Sequence, residues 1–306
     1  MIIMKKIYLF IGLLLIIVSV KAQQLPLYSQ YMMNKFLINP AITGNVDYIP
    51  LRLTARQQWV GIDHAPSTQA ISAHTLLNNK KMGIGGNIFA DRFGPETKIG
   101  LQANYSYILE LNGINSKLSF GLAFKVFQYK LDYTMMTAID ENDPTLNNTA
   151  ETAFVPDADF GTYIQGERYY AGISVTQLIQ LPIEISGQNI EDNTMIRHYF
   201  ILGGYKFQIS DKFELEPSTL VKGTEKIPFQ ADINLKGIYM QNYWLGFSYR
   251  TSGSIITMLG LKYQGFVFGY AFDYAISDIQ HFRSGTHEII LGFNFGEGKN
   301  KGSSLL

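Results

Sequence analysis

From Ile49 to Phe295, the chain contains about fourteen short stretches in which apolar residues alternate with small or polar ones. The clearest stretch, residues 99–109, has apolar side chains at its odd positions, and residues 288–296 repeat the pattern. Alternation over about ten residues indicates strands with one face in lipid and the other in a polar lumen. The sequence therefore predicts an all-β protein, a transmembrane outer-membrane β-barrel of about 14 antiparallel strands.

The first 22 residues have the features of a secretory signal. Lys5 and Lys6 precede the apolar run 7–18, and the small residue Ala22 predicts cleavage between Ala22 and Gln23. A run of this length is too short for a membrane-spanning helix. We therefore predict export to the outer membrane of a Gram-negative bacterium.

The chain divides into a signal peptide (1–22), an N-terminal periplasmic or plug segment (23–48), the barrel (49–296) and a C-terminal tail (297–306). Within the second part, a set of apolar residues approximates a helical stripe: Tyr28, Tyr31, Met32, Phe36 and Leu37. The stripe is expected to end at Asn39-Pro40, because the residue before a proline disfavours helix. Such a segment would plug the barrel or lie against its rim.

Composition supports a wall that faces hydrocarbon. Tyr and Phe number 19 and 20, whereas charged residues make up 16% of the chain, below the usual quarter. The absence of cysteine excludes disulfides and thiol chemistry. Loss of three lysines with the signal leaves the processed chain slightly acidic, so no nucleic-acid partner is expected.

The predicted connections alternate in length, as expected for periplasmic turns and extracellular loops. The predicted short turns lie at residues 78–79, 112–115, 166–167, 210–211, 241–242 and 264–265. The notable long loops are predicted at residues 132–157, 181–197 and 275–287.

The alternation also separates the charges, because it assigns most charged side chains to the lumen. The predicted luminal set contains both signs: Arg52, Arg56, Lys206, Arg250, Lys262, Asp91, Asp159, Asp232, Asp273 and Glu288. Mixed charges predict a lumen partly filled by ion pairs. The same pattern places four apolar side chains on the inner face: Phe200, Leu202, Ile256 and Met258.

Several short motifs occur near the start of the chain. They are Gln30-Tyr31-Met32, Asn39-Pro40-Ala41-Ile42-Thr43-Gly44, Arg56-Gln57-Gln58-Trp59-Val60-Gly61, Ala65-Pro66-Ser67-Thr68, His74, Gly83-Ile84-Gly85-Gly86 and Asp91-Arg92-Phe93-Gly94. Together they resemble the PorP/SprF family of type IX secretion proteins, across about residues 24–125. One departure is Ile42-Thr43, where an aromatic or small residue is expected after Asn-Pro-Ala.

The resemblance implies a non-enzymatic outer-membrane barrel of the Bacteroidota. Members of the family help to secrete, or to retain at the cell surface, partner proteins with a C-terminal sorting domain, and some serve gliding adhesins. The implied partners are outer-membrane lipid, a secreted adhesin or other cargo, and the secretion machinery.

Taken as residues alone, most of these motifs have structural explanations. Asn-Pro-Ala is typical of a helix stop and turn, and Trp59 of an aromatic girdle. Gly83, Gly85 and Gly86 lack dinucleotide spacing and favour close packing or access to the lumen. The candidate partner-contact or structural residues are Tyr31, Asn39, Pro40, Ala41, Gly44, Arg56, Gln57, Trp59, Gly61 and Pro66.

No catalytic residue, cofactor or metal site is predicted. The histidines at 64, 74, 198, 281 and 287 lack metal-ligand spacing. Asp63-His64 would suit a hydrolase, but no Gly-x-Ser-x-Gly nucleophile accompanies the pair. The acidic run 140–143 lacks the spacing of a calcium loop and is interpreted as a solvated loop apex.

The sequence leaves two functional hypotheses of different classes open. The leading hypothesis is a secretion accessory, in which the long loops contact cargo and residues 23–45 contact the machinery. The rival is a passive carrier or channel for apolar compounds, because Asn-Pro-Ala beside an N-terminal plug also resembles fatty-acid-transporter barrels. The inner-facing apolar side chains suit the carrier, whereas the luminal ion pairs oppose it.

Overall fold

The computed structural model describes residues 28–136, 149–183, 194–225, 228–276 and 284–297. The signal peptide and nearly all of the predicted tail lie outside these residues, as do the acidic run 140–143 and the histidine at 281. Among the described residues, no helix is both long and apolar enough to cross a membrane.

A single antiparallel sheet closes on itself to form the barrel. Its strands are β1 (Ile49–Gln57), β2 (Ser67–Leu76), β3 (Met82–Phe93), β4 (Glu96–Leu111), β5 (Ser116–Asp132), β6 (Ala150–Gln165), β7 (Tyr169–Thr176), β8 (His198–Tyr205), β9 (Phe207–Ser210), β10 (Phe213–Thr224), β11 (Gln230–Tyr239), β12 (Tyr243–Arg250), β13 (Ser254–Tyr263), β14 (Phe266–Ala275) and β15 (Thr286–Phe295). Each pairs with its neighbours in sequence except β8 and β9, which both pair with β10, and β15 pairs with β1 to close the cylinder.

The β8 and β9 segments act as one strand that is interrupted at Lys206. Both pair with β10: β9 pairs with its first residues, 213–215, and β8 pairs with residues 218–224. Counted this way, the wall has fourteen antiparallel strands, which confirms the predicted fold and number.

The alternation predicted from the sequence is confirmed as a lipid face and a luminal face. Large apolar side chains along the strands are exposed, including Ile88, Leu101, Leu122, Ile233 and Leu245. The predicted luminal charges lie inside: all are buried except Lys262, which is partly buried. Because water-free hydrocarbon penalises charge strongly, this sorting makes the outer surface compatible with a bilayer.

The alternation predicts strand starts near residues 50, 68, 81, 98, 117, 158, 169, 198, 213, 228, 243, 255, 266 and 288, and all but the one at 158 lie within two residues of the observed starts. All six predicted short turns are confirmed, and they lie at the end of the barrel that is periplasmic in outer-membrane proteins. The loop predicted at 132–157 is wrong in part, since residues 150–157 belong to β6. Pro156 and Asp157 obscure the pattern there, yet both pair with β5.

Placing a cation on the lipid face should destabilise the barrel. Leu101 lies near the middle of β4 and is 59% exposed, so we expect Leu101→Arg to lower the free energy of unfolding by about 2–4 kcal/mol in bilayers. Urea unfolding in vesicles measures this change. The matched control is Gln69→Arg, which is exposed at the long-loop end of β2 and should cost at most about 1 kcal/mol. Equal effects of both substitutions would contradict the assigned lipid face.

Candidate functional site: the luminal plug

Residues 28–48 lie inside the barrel and are named the plug here. Three short 3-10 turns form its backbone: Tyr31–Met33, Lys35–Leu37 and Pro40–Ile42. The sequence predicted one helical stripe, but Asn34 adopts φ −146° and ψ 64°, which separates the first two turns. The segment therefore consists of three separate turns, and the predicted continuous helical stripe is wrong.

The apolar side of the plug packs against the inner wall. Tyr31, Met32, Phe36, Ile38 and Ala41 are buried in one cluster with wall residues of β8 and β13. Those wall residues include the four predicted inner-facing apolar side chains: Phe200, Leu202, Ile256 and Met258. Their apolar character inside a polar lumen is explained by the plug that covers them.

Asn39 fixes the plug to two strands of the wall. Its Oδ1 accepts the Ala41 amide at 2.9 Å and caps the third turn, which Pro40 begins. Its Nδ2 donates to the carbonyl oxygens of Thr162 and Ile173, at 3.0 and 3.4 Å. The Asn39-Pro40-Ala41 motif is thus both a turn, as predicted, and an anchor.

Glycines in the wall allow the plug to approach the strands closely. A Cβ atom on Gly121 would overlap the backbone of Pro40 and Ala41, and one on Gly161 would overlap the Asn39 side chain. A Cβ atom on Gly83 would likewise overlap the Thr43 carbonyl. These approaches agree with the luminal access predicted for Gly83.

Serines at inner-facing positions supply further bonds to the plug. Ser106 and Ser174 donate to the carbonyl oxygens of Thr43 and Ile38, and Ser119 donates to Asn45 Oδ1 at 2.9 Å. Sequence reasoning missed these residues. Small residues at alternate inner-facing positions were the available signal, because they leave room for a second chain.

A row of buried ion pairs lines part of the lumen and is named the ion-pair belt. Its members alternate in sign around six strands: Lys222, Asp232, Arg250, Asp273, Arg56 and Glu288. The Arg250 guanidinium holds both Asp232 oxygens at 2.9 and 3.0 Å and reaches Asp273 Oδ2 at 3.0 Å. The predicted luminal ion pairs are confirmed.

The belt also binds the start of the plug. The Glu288 carboxylate accepts the backbone amides of Ser29 and Gln30, at 2.6 and 2.8 Å, and Gln30 Nε2 donates to the Glu288 carbonyl at 3.0 Å. Arg56 bonds both the Ser29 hydroxyl and Glu288. Because Arg56 and Glu288 lie near the long-loop ends of β1 and β15, this contact fixes the direction of the plug.

The other end of the plug lies at the short turns. The Gly44 amide donates to His74 Nδ1 at 3.1 Å, and Gly44 (φ +73°) packs against Leu76 and Gly83 where β2 and β3 meet. The plug therefore runs through the lumen from its long-loop end to its short-turn end before β1 begins.

A chamber of about 110 Å³ lies beside the plug, toward the long loops. Ile38, Phe127 and Phe200 give it an apolar floor, while Lys125 and Asp159, 2.6 Å apart, form a buried pair in its wall. By exposed area the lining is mainly apolar, although Asp91, Lys98 and His198 also contribute to it. The chamber can accommodate an apolar group.

The ten predicted motif residues lie in two different parts of the barrel. Tyr31, Asn39, Pro40, Ala41, Gly44 and Arg56 come together in the lumen. The other four, Gln57, Trp59, Gly61 and Pro66, lie at or beyond the outer end of β1.

The β1–β2 connection is tied to the loop before β15. The backbone amide of Trp59 donates to Thr286 Oγ1 at 3.2 Å, and that of Val60 donates to the Gly285 carbonyl at 2.9 Å. Trp59 is partly buried with φ 46°, and Gly61 is exposed with φ +101°. These residues form a surface feature separate from the plug.

The described histidines are dispersed. His64 is exposed beside Asp63 in an outer loop, His74 contacts the plug and His198 lines the chamber. Among the residues that the structure describes, no group of three or more acidic or histidine side chains is placed to hold a metal ion.

Comparisons with known proteins agree with this architecture. A family model described as type IX secretion system membrane protein PorP/SprF matches residues 20–293. The toluene transporter TbuX of Ralstonia pickettii superposes with a TM-score of 0.52 at 10% identity, covering 87% of this chain and 92% of that one. A FadL homologue of Pseudomonas aeruginosa gives 0.49 at 10% identity, over 89% and 94%. No curated protein sequence matches significantly.

Proposed function

The chain belongs to the PorP/SprF family of type IX secretion system membrane proteins, and we propose that it is a non-enzymatic accessory of secretion in the outer membrane. In this role it assists the secretion or surface retention of a cargo protein, such as an adhesin, that carries a C-terminal sorting domain. The proposed source is a gliding or related member of the Bacteroidota.

The observation that carries this proposal is the filled lumen. The plug is held by the Asn39 anchor at one side and by the Glu288 carboxylate at the other. A cylinder whose interior is packed with its own chain is suited to binding partners at its two ends rather than to conduction. We therefore assign cargo contact to the long-loop end, including the β1–β2 connection at Trp59 and Gly61.

Machinery contact is assigned to the short-turn end. Residues 23–45 were the predicted contact, but Tyr31 to Ile42 are buried inside the wall apart from the partly buried Leu37, and the C-terminal end of the plug approaches the rim. Asp47 is exposed there. The short turns and residues 46–48 are therefore the proposed surface for partners in the periplasm.

A carrier of apolar compounds is the second candidate, and the chamber favours it. TbuX is a toluene transporter, and the chamber floor would accept an apolar ring. Against the carrier, Leu202, Ile256 and Met258 are already covered by the plug. An apolar path through the lumen would require the plug to move.

Deleting the gene and restoring it on a plasmid tests both functions. We expect the deletion strain to lose one or a few proteins from the cell surface and the medium, measured by mass spectrometry, while uptake of radiolabelled toluene stays unchanged. The restored strain controls for effects on neighbouring genes. Normal secretion together with impaired toluene uptake would overturn the accessory role and support the carrier.

A further inference from the structure

We propose that the outer rim of the barrel holds a binding site for the phosphate group of an outer-leaflet lipid, formed by Arg92 of β3 and Lys130 of β5. The site lies on the outside of the wall, at the long-loop ends of these strands. It is separate from the plug and from the chamber, which lie in the lumen.

Arg92 and Lys130 differ from the other cations of the wall in the direction of their side chains. They occupy the outward-facing positions of their strands, in line with the exposed residues Ile88 of β3 and Leu122 of β5. Within the described strands, every other lysine and arginine belongs to the luminal face. The two cations therefore mark one place on the outer surface.

The two side chains lie in one row, with a single strand between them. Arg92 pairs in register with Thr97 of β4, and Thr97 pairs in register with Lys130. Neighbouring strands are about 4.8 Å apart, so the backbones of the two cationic residues are about 10 Å apart. Both side chains are long enough to reach one group located over Thr97.

This row lies at the outer boundary of the apolar band. On β4, the outward side chains run from Tyr107 near the short turns through Leu101 and Ile99 to Thr97. The rise of ten residues from Tyr107 to Thr97 is about 33 Å of strand. At a tilt of about 40° this is about 25 Å along the membrane normal, which is the height of the apolar band of such barrels. Arg92 is therefore at the level of the outer-leaflet headgroups.

An open groove of about 700 Å³ includes this row and is named the rim groove. Its lining also contains Ile62 and His64 of the β1–β2 connection, Met135 beyond β5, and Ile99. The Gly94 amide donates to the His64 carbonyl at 3.0 Å, which holds the β1–β2 connection against the turn between β3 and β4. The rim groove thus joins polar groups to apolar side chains that continue into the lipid face.

The rim groove has more positive than negative charge. Arg92 is exposed and has no hydrogen bond or ion pair with any residue that the structure describes. Lys130 lies 3.2 Å from Asp132, which is the one described acidic residue in the lining. Asp63 and Glu96 are near in the sequence but do not line the groove. An anion beside Arg92 and Lys130 would therefore be attracted.

The chemistry of the lining indicates a phosphorylated lipid. A guanidinium group binds phosphate through two parallel hydrogen bonds, and an ammonium group adds a point charge. The apolar part of the groove suits acyl chains. Toward the long-loop ends of β12 and β14, by contrast, the outward side chains are aromatic, as at Tyr249 and Tyr274, and carry no charge for a phosphate.

Native mass spectrometry of the full processed protein, titrated with lipid in detergent, tests the site. The probes are diphosphoryl lipid A, the same lipid with both phosphates removed, and inorganic phosphate. We expect diphosphoryl lipid A to bind at least about tenfold more tightly than the dephosphorylated lipid, because it alone makes the charge-assisted bonds. Inorganic phosphate at the same concentration should not displace it. Equal affinity of the two lipids, or displacement by inorganic phosphate, would overturn the proposal.

Substitutions locate the site on the barrel. Arg92→Gln and Lys130→Met should each weaken binding of diphosphoryl lipid A by about tenfold. The matched controls are Arg168→Gln and Lys212→Met, which change exposed cations in the short turns at the opposite end of the barrel. Both controls should bind as the wild type does. Undiminished binding by Arg92→Gln or by Lys130→Met, or an equal loss in the controls, would overturn the proposal.

A third variant tests the charge balance and is expected to gain affinity. Asp132→Asn removes the negative charge beside Lys130, while an asparagine oxygen can still accept the Thr134 amide, now 3.2 Å from Asp132 Oδ1. It should bind diphosphoryl lipid A more tightly than the wild type, and weaker binding would contradict the site. The site rests on the lipid face and not on the secretion role, so failure of lipid binding would leave the secretion phenotype of the deletion strain unaffected.

Discussion

Gly121→Val is expected to open the barrel. A Cβ atom at this position would overlap the backbone of Pro40 and Ala41, and neither the strand nor the short turn can shift without breaking its hydrogen bonds. The variant should still form the wall, because β5 keeps its partners on both sides. We expect the plug to leave its seat and the protein to show steady conductance in planar bilayers, where the wild type shows none.

The matched control for this experiment is Gly203→Val. Gly203 is also a wall glycine, in β8, but a Cβ there would meet only the Tyr170 carbonyl, at an ordinary 3.6 Å. This variant should remain closed. If Gly121→Val showed no conductance and kept the heat resistance of the wild type on gels, the close packing of plug and wall would be contradicted.

Arg250→Met is expected to produce the largest loss of stability. Arg250 bonds Asp232 through two nitrogen atoms and also reaches Asp273, and all three side chains are buried. Removing it leaves two carboxylates with reduced compensation in the lumen, which typically costs about 3–5 kcal/mol. Urea unfolding in vesicles measures the change.

An exposed ion pair provides the comparison. Lys130 lies 3.2 Å from Asp132, with side chains 43% and 22% exposed, so Lys130→Met should cost at most about 1 kcal/mol. Adding Asp232→Asn to Arg250→Met should restore part of the loss, since it removes one of the stranded charges. If Arg250→Met and Lys130→Met lowered the free energy of unfolding equally, the belt would contribute no more than a surface ion pair.

The wall was largely predictable from the sequence because lipid imposes a local rule. Each strand must turn one face to hydrocarbon, so the pattern at Leu101 or Ile233 is visible without knowledge of any partner. The rule fails for residues 150–157 of β6. These residues extend beyond the neighbouring β7, which begins its pairing with β6 at Phe160, and a strand outside the bilayer need not alternate.

The plug was predictable in place but not in detail. Its apolar residues indicated burial, yet Tyr31 and Met32 are also compatible with a helix on the rim. Its three short turns depend on bonds to distant groups, such as Asn39 to Thr162 and Asn34 to Ser72.

The contact between Glu288 and the amides of Ser29 and Gln30 has a consequence for biogenesis. It joins the first described residues of the chain to its last strand, about 258 positions apart, and it lies beside the seam where β15 meets β1. Once β15 has paired with β1, residues 28–48 can reach their position only by threading lengthwise into the closed lumen. The most direct order of assembly therefore places residues 28–48 inside the sheet while it is still open. The pairing of β15 with β1 then closes the barrel as the last step.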